Sequence, residues 1–298
     1  MRKHVGLVIA ALLVALIAAV PYLWSRGMFK SGNAVSAAPT GSTSAPTPDP
    51  STSGTPRPAT SAPPAAPTLN APLLHAAPVS VNTPGFWSWA LMDRNTGQIT
   101  GASANAGTTN VTASMIKAWL AADYLRRNAS PSASTMKQLS IMIRDSDNEA
   151  ASYFWRANGT SASISRLVSI CGLTDSKAYI DWAHTLISAR DATRMGACIG
   201  DGRAAGAKWT EWLLNEMRSV RGAGRFGIIS VLPADVASKT AIKNGWIAKS
   251  DGKWHINCMA IGPDWVLSVM TVYPASKGMG HGIDICKSVT QQLMAKQQ

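Results

Sequence analysis

Several patterns are missing from this sequence, and each absence excludes a class of function. The chain carries a formal net charge of +12 but no run of lysine and arginine and no basic stripe interleaved with aromatic residues. We therefore expect no nucleic-acid partner, and we interpret the excess charge as a solvated surface suited to an anionic cell envelope. The four cysteines and five scattered histidines match no zinc spacing, so we expect neither a metal nor another cofactor.

The amino terminus combines two basic residues with a long apolar run. Arg2 and Lys3 precede a stretch from Val5 to Trp24, which at about 20 residues is long enough to cross a bilayer as a helix. We expect residues 1–30 to be a retained membrane anchor, because the run exceeds the ~7–15 apolar residues of a usual cleaved segment. A cleaved signal peptide is the alternative, with small residues at 34–37 as its cleavage site. In both cases the bulk of the chain is exported.

Residues 31–84 have the composition of a tether. Ser, Thr, Pro, Ala and Gly dominate, and no apolar periodicity is present. Such a segment cannot bury enough apolar surface to offset its conformational entropy, and its prolines stiffen it. We therefore expect a linker that holds a single folded domain, residues 85–298, away from the membrane.

Four cysteines lie in the predicted folded domain, an even number in a chain that is expected to reach an oxidising compartment. They are Cys171, Cys198, Cys258 and Cys286. Four cysteines allow three connectivities, of which we favour the local pairs Cys171–Cys198 and Cys258–Cys286. Buried free thiols are the alternative.

Strand patterns lie at both ends of the predicted domain, and helical patterns lie between them. Strands are predicted at 86–92, 98–101, 240–247, 254–262 and 265–272. Helices are predicted at 113–127, which Thr112 would cap, and at 135–144, 148–157, 161–171, 189–199, 208–217 and 283–296. The pattern predicts an α+β fold with one antiparallel sheet, built from both ends of the domain, plus an all-helical lobe.

A serine three residues before a lysine on a helix places both side chains on one face, where the amine can take the proton of the hydroxyl. The pattern occurs three times, at Ser114/Lys117, Ser134/Lys137 and Ser250/Lys253. We favour Ser114 as the nucleophile, because it stands at the first turn of the predicted core helix, where helix amides stabilise a developing oxyanion.

Two further motifs follow along the chain. Ser146-Asp147-Asn148 precedes a predicted helix, and a helix N-cap is its alternative interpretation. Lys243-Asn244-Gly245, followed by Trp246, lies on a predicted strand whose glycine would let a ligand backbone approach. A solvated strand lysine is the alternative there.

In this order the three motifs resemble the S-x-x-K, S-D-N and K-T-G set of class A β-lactamases and penicillin-binding proteins. The resemblance extends over nearly all of residues 85–295. It implies that Ser114 attacks a carbonyl carbon, that Lys117 accepts its proton, and that Ser146 relays a proton to the leaving nitrogen.

The resemblance also implies the residues that bind substrate, which are Asn148, Lys243, Asn244, Gly245 and Trp246. Asn148 would hold the substrate amide, and Lys243 would supply positive charge to the substrate carboxylate and to Ser146. The backbone N–H groups of Ser114 and Trp246 would form the oxyanion hole.

Two positions depart from the family pattern. Asn244 stands where the family usually has a hydroxyl that binds the substrate carboxylate. Class A β-lactamases place a glutamate on a loop between the second and third motifs, whereas residues 177–189 contain no glutamate and Asp181 is the only nearby carboxylate.

These features predict a β-lactamase-like serine hydrolase that is acylated by cell-wall peptide-type amides or β-lactams and deacylates slowly. Two alternatives stay open. One is a penicillin- or peptide-binding protein with very little turnover, and the other is a non-catalytic envelope protein that retains the fold.

Overall fold

A computed structural model of the chain describes residues 73–294. The predicted anchor and most of the predicted linker lie outside the described residues, so the division into anchor, linker and domain stays a prediction. Within residues 73–294, no helix combines the length and the apolar character that a membrane span requires.

The described region contains one large antiparallel sheet and a short two-stranded ribbon. The strands are β1 Phe86–Asp93, β2 Ile99–Ala102, β3 Thr109–Val111, β4 Leu186–Ser188, β5 Ala241–Ile242, β6 Gly245–Ala248, β7 Lys253–Ile261 and β8 Trp265–Pro274. The sheet has the order β2-β1-β8-β7, with β5 and β6 both paired to β7, while β3 and β4 form the ribbon. Strands from the two ends of the domain meet where β1 pairs with β8, from Phe86 opposite Val272 to Asp93 opposite Trp265. The α+β prediction is confirmed.

Eight α-helices occur within the described range. They are α1 Lys117–Arg127, α2 Ala133–Arg144, α3 Asn148–Ala157, α4 Ser161–Cys171, α5 Ala189–Gly200, α6 Ala207–Arg218, α7 Ala234–Ala237 and α8 Gly278–Leu293. Helices α5 and α8 cover opposite faces of the sheet, because Gly196 of α5 faces Val266 and Met259, whereas Gly282 of α8 faces Ile256. The alternation of side chains along a strand places Met259 and Ile256 on opposite faces.

Helix α1 is the central helix of the lobe, and buried polar contacts fix its position. The indole Nε1 of Trp119 donates to the carbonyl oxygen of Ser163 at 3.0 Å. Asp123, which is fully buried, accepts two hydrogen bonds from the guanidinium of Arg166 at 2.8 and 2.6 Å. A buried carboxylate requires such pairing, so these contacts fix α1 against α4.

Two predicted segments are interrupted at the motifs. The helix predicted from residue 113 begins instead as a 3₁₀ turn, Ala113–Ile116, and Thr112 makes no capping bond. The Thr112 hydroxyl donates to the carbonyl oxygen of Trp182 at 3.2 Å, because this stretch pairs with the loop before β4. The strand predicted at 240–247 is divided into β5 and β6 at Lys243 and Asn244.

Contacts of the folded domain begin before residue 85. Leu74 forms a β-bridge with Met294, and the backbone N–H of His75 donates to the carbonyl oxygen of Leu293 at 2.9 Å. The backbone N–H of Ser80 donates to the side chain of Gln292 at 2.9 Å. The chain segment before β1 therefore runs along α8.

Two disulfides are present, and they confirm the predicted pairing. Cys171 and Cys198 join the end of α4 to α5, and Cys258 and Cys286 join β7 to α8. All four cysteines are buried. One bridge thus lies within the helical layers and the other links the sheet to its covering helix.

Reduction of the two bridges is expected to lower the free energy of unfolding by about 2–4 kcal/mol for each bridge, because the unfolded chain regains conformational entropy. Thermal melting of the full chain before and after reduction measures the change. Mass mapping of alkylated cysteines confirms that reduction was complete. An unchanged melting temperature in the fully reduced chain would contradict the expectation.

Candidate active site

The backbone that carries Ser114 is held by the β3–β4 ribbon and by the loop that precedes β4. The backbone N–H of Thr112 donates to the carbonyl oxygen of Thr185, and that of Ala113 donates to Ala183, both at 2.8 Å. Ala113 has a positive φ of 45°, a strained conformation for a residue with a Cβ that is typical of functional sites. The ribbon and this strained residue set the orientation of the 3₁₀ turn that contains Ser114.

Strand β6 packs directly against that turn. A Cβ added at Gly245 would lie 2.2 Å from the carbonyl oxygen of Thr112 and 3.1 Å from the backbone nitrogen of Ser114. The absence of a side chain at Gly245 thus lets β6 approach the protein's own backbone at Thr112. That Gly245 also admits a ligand backbone stays a prediction.

Replacing Gly245 with alanine is therefore expected to push β6 away from Ser114 and to destabilise the fold by several kcal/mol, since backbone atoms cannot move aside as a flexible side chain can. Gly280→Ala is the matched control, because a Cβ there meets no atom within 4 Å. The melting temperatures of both variants test this, and equal melting temperatures would refute the close packing.

Three polar side chains meet behind Ser114. The Ser146 hydroxyl accepts hydrogen bonds from Lys243 Nζ at 3.0 Å and from Lys117 Nζ at 3.3 Å. Both lysines are fully buried. Lys117 Nζ also donates to the carbonyl oxygen of Ser146 at 2.5 Å and to Asn148 Oδ1 at 2.7 Å, rather than to Ser114. Because both lysine amines donate to it, the Ser146 hydroxyl has its own proton available for another acceptor.

The second motif also supplies the N-cap of α3. The capping residue is Asp147, whose Oδ1 accepts from the backbone N–H of Ala150 at 2.7 Å. Ser146 has a positive φ of 59°. The cap and the polar cluster therefore use different residues of one motif, and the strained backbone of Ser146 is again typical of a functional site.

Burial changes the protonation of both lysines. Desolvation lowers the pKa of Lys117 to about 7, although Asp147 partly opposes the shift. Desolvation also lowers the pKa of Lys243 well below its ordinary value, and the nearby charge of Lys117 lowers it further. An amine whose pKa is near 7 is half in its free-base form at neutral pH, which is the form that accepts a proton.

A pocket of about 280 Å³ opens at Ser114. Its lining is Ala113, Ser114, Ser146, Asn148, Trp182, Ala183, Trp246 and Ile247. Of the residues predicted to form the site, Ser114, Ser146, Asn148 and Trp246 line this pocket. Lys117 and Lys243 do not line it, but both amines bond to Ser146 and that of Lys117 also bonds to Asn148.

Asn244 has its side chain directed away from the pocket. Its Nδ2 donates to the carbonyl oxygens of Gly224 and Phe226 at 3.0 and 2.8 Å, and its Oδ1 accepts from the backbone N–H of Met259 at 3.4 Å. The side chain is buried. The Asn244 side chain therefore fixes the backbone between β5 and β6, and both of its amide hydrogens are bonded within the protein.

The sequence did not predict Trp182 as part of the site. Its ring centroid lies 4.8 Å from Lys117 Nζ, and its Nε1 donates to Ser152 Oγ at 3.2 Å. The only signal was its position beside Asp181 in the loop where the family places its glutamate. Asp181 itself accepts from the backbone N–H and from Nδ1 of His184, at 3.0 and 2.9 Å, so it stabilises the loop and does not line the pocket.

A larger cleft, of about 430 Å³, lies elsewhere on the domain and includes Arg94, Arg194 and Arg203. Each guanidinium is already bonded: Arg94 to backbone carbonyls, Arg194 to Asp191, and Arg203 to Asp201. No serine, threonine or lysine lines it. Of these two clefts, only the smaller is lined by serine hydroxyls. Over residues 73–294 there is also no group of three or more His, Cys, Asp or Glu side chains that could hold a metal ion.

Comparison with known proteins gives a consistent fold. No family model matches the chain. A β-lactamase from Chitinophaga pinensis superposes with a TM-score of 0.57 at 16% identity, over 70% of this chain and 92% of that one. A class A β-lactamase from Bacteroides cellulosilyticus superposes with a TM-score of 0.59 at 13% identity, over 72% and 92%. The protein PBP-A superposes with a TM-score of 0.55 at 16% identity, over 70% and 90%.

Among curated sequences, the chain is similar to the candidate lipoprotein LppW of Mycobacterium tuberculosis and Mycobacterium bovis. The two chains are 28% identical over 206 residues, which is 63% of each. The match thus spans less than two thirds of the curated relative. The sheet order, the helical lobe and the superpositions together show that this chain has the fold of the β-lactamase and penicillin-binding protein superfamily.

Proposed function

We propose that this chain is an exported serine acyl-transfer enzyme that forms a covalent acyl-enzyme through Ser114. The observation that carries the proposal is the Ser146 hydroxyl, which bonds to both buried lysine amines and shares a pocket with Ser114. A lysine with a purely structural role is not expected to be buried without a carboxylate partner, because burial of an unpaired ammonium is costly.

The residues support the following step. The Oγ of Ser114 forms a bond to the acyl carbon, and its proton passes to Lys117 Nζ, which lies one helical turn along the chain. The bond from the acyl carbon to the leaving nitrogen or oxygen breaks. The leaving atom takes a proton from Ser146 Oγ, and Lys117 returns a proton to Ser146 across the 3.3 Å contact. The products are an acyl-serine and a neutral leaving group.

The backbone of Ser114 and Trp246 would supply the N–H groups that stabilise the oxyanion. Asn148 is the exposed amide of the pocket and would orient the substrate. Candidate acyl donors are cell-wall peptide-type amides and β-lactams, as the family resemblance implies. We propose slow deacylation, because none of the side chains that line the pocket in the described region is a carboxylate.

We also propose that the domain is held outside the cytoplasm by residues 1–30 and a linker at 31–84. The apolar run after Arg2 and Lys3 supports this placement, as does the description of the related LppW as a lipoprotein. Fractionation of cells that express the full chain tests it. Recovery in the membrane pellet supports an anchor, whereas a soluble form that begins between residues 31 and 38 would indicate a cleaved signal.

The enzymatic proposal is tested by intact-mass analysis of the full chain after exposure to a neutral fluorophosphonate and to a panel of β-lactams. We expect a single adduct on the wild type, and none on Ser114→Ala. Ser134→Ala is the matched control, because it removes an exposed serine of the same sequence pattern and should leave labelling unchanged. If no reagent labels the wild type, the non-catalytic alternative replaces this proposal.

A further inference from the structure

We infer that the Ser114 pocket selects acyl donors that carry no carboxylate beside the scissile bond, so that its substrates are uncharged esters or amides with a flat or apolar group. This inference rests on the proposed acylation of Ser114, but it departs from the donors that the resemblance implies. β-Lactams and cell-wall peptides, the donors implied by resemblance, carry such a carboxylate.

The pocket at Ser114 has an uncharged lining. None of its eight lining residues carries a charge, and the two largest are indoles. Trp182 comes from the loop before β4, whereas Trp246 and Ile247 come from β6. Indole faces and an aliphatic side chain favour flat or apolar groups by burial of their surface. A volume of about 280 Å³ accommodates a group of roughly the size of a substituted phenyl ring.

The lysine amines behind the pocket are not available to an anion. Lys117 and Lys243 are fully buried, and their hydrogen bonds go to Ser146 and, for Lys117, to Asn148. Burial lowers the pKa of both amines, so that at neutral pH together they carry less than their full positive charge. A carboxylate in the pocket would therefore lose its hydration and gain little electrostatic attraction to these amines in return.

Asn244 stands at the position where the family has a carboxylate-binding hydroxyl. Its amide is committed to the carbonyl oxygens of Gly224 and Phe226. None of the residues that line the pocket is a cation, and the Asn244 amide is not free to donate to a carboxylate there. A carboxylate there would exchange its hydration for neutral groups such as the Ser146 hydroxyl and the Asn148 amide, which is unfavourable, whereas an ester at the same place has no charge to desolvate.

For an ester, the step balances as follows. The Ser114 Oγ–acyl bond forms, the bond between the acyl carbon and the leaving oxygen breaks, and the serine proton reaches Lys117. Ser146 protonates the leaving oxygen, which departs as an alcohol, and Lys117 returns its proton to Ser146. No charged group on the substrate takes part.

The test uses a matched pair of acyl donors with the full chain. One is phenylacetyl glycolate, whose leaving group ends in a carboxylate, and the other is its methyl ester, which is uncharged. Acylation of Ser114 is followed by intact mass, and each rate is divided by the rate of the same donor with imidazole. We expect the methyl ester to acylate at least tenfold faster.

A charge placed in the pocket wall should reverse this preference. Ile247→Arg puts a guanidinium on β6 beside the pocket and is expected to raise the rate of the charged donor at least tenfold relative to its methyl ester. Ile247→Gln is the matched control, which is polar but uncharged and should leave the preference unchanged. Melting temperatures establish that both variants are folded.

Each outcome decides the matter. Equal or faster acylation of the wild type by the charged donor overturns the inference, as does labelling of Ser114 by the fluorophosphonate without acylation by either donor. In both cases the acyl-enzyme proposal stands. If the fluorophosphonate also fails to label Ser114, then the proposed function itself fails and the inference fails with it.

Discussion

Replacing Lys117 with methionine is expected to slow acylation of Ser114 by about 10²–10⁴-fold, the usual contribution of a general base. Methionine keeps an unbranched side chain in the buried site but removes the amine that would take the serine proton. Acylation rates of the two proteins with one activated ester, followed by intact mass, measure the effect. Lys137→Met is the matched control, because Lys137 belongs to the exposed pair on α2.

The pH dependence of acylation gives an independent signature of the same group. Burial lowers the pKa of Lys117 to about 7, and only the free amine accepts a proton. The wild-type rate should therefore fall about tenfold per pH unit below that pKa and become constant above it. A rate that is independent of pH between 5 and 9, or an unchanged rate in Lys117→Met, would exclude Lys117 as the base.

The acyl-enzyme, once formed, is expected to persist. Hydrolysis of an acyl-ester needs a base that activates water, and loss of that base typically costs about 10²–10⁴-fold in rate. In the described region the pocket has no carboxylate in its lining, and Trp182 occupies the side of the pocket beside Lys117. The lifetime of the adduct on Ser114 should therefore be many times longer than the time that its formation takes.

Asp181 provides the critical control for this expectation. It accepts two hydrogen bonds from His184, so Asp181→Ala should loosen the loop but change the lifetime of the adduct by less than about threefold, since it removes no catalytic base. Loss of the adduct over time, followed by intact mass, measures the lifetime. Multiple turnovers in the wild type that Asp181→Ala stops would show that the loop does hold a base.

Much of the fold could be predicted from local sequence signals. Helices α3 and α4 begin and end where the apolar spacing predicts, because Asp147 caps α3 and Gly172, with a left-handed backbone, ends α4. The strands at both ends of the domain follow from runs of β-branched and aromatic residues. The local disulfide pairing was also correct.

The details of the candidate site could not be read from such signals, because they depend on contacts that are distant in sequence. The 3₁₀ turn at Ser114 and the unused cap at Thr112 follow from hydrogen bonds to the loop at 182–185. The break between β5 and β6 follows from the bonds of Asn244 to Gly224 and Phe226. Residue propensities carry no information about either set of partners.

The position of Trp182 is the most consequential of these differences. The sequence drew attention to Asp181, because a carboxylate is the residue type that the family uses in this loop. The loop turns so that Asp181 bonds to His184 while its neighbour reaches the pocket. The identity of the residue that lines the pocket was therefore decided by the turn of the loop, and composition alone could not reveal it.

We propose that Ser114 alone among the three serine–lysine pairs is nucleophilic. The direct test is peptide mapping by mass spectrometry of the full chain after labelling with the neutral fluorophosphonate, because it identifies the modified residue. We predict that the label is on the peptide that contains Ser114, with unmodified Ser134 and Ser250. A label on either of those two serines, or a protein that takes up no label while still folded, would contradict the account.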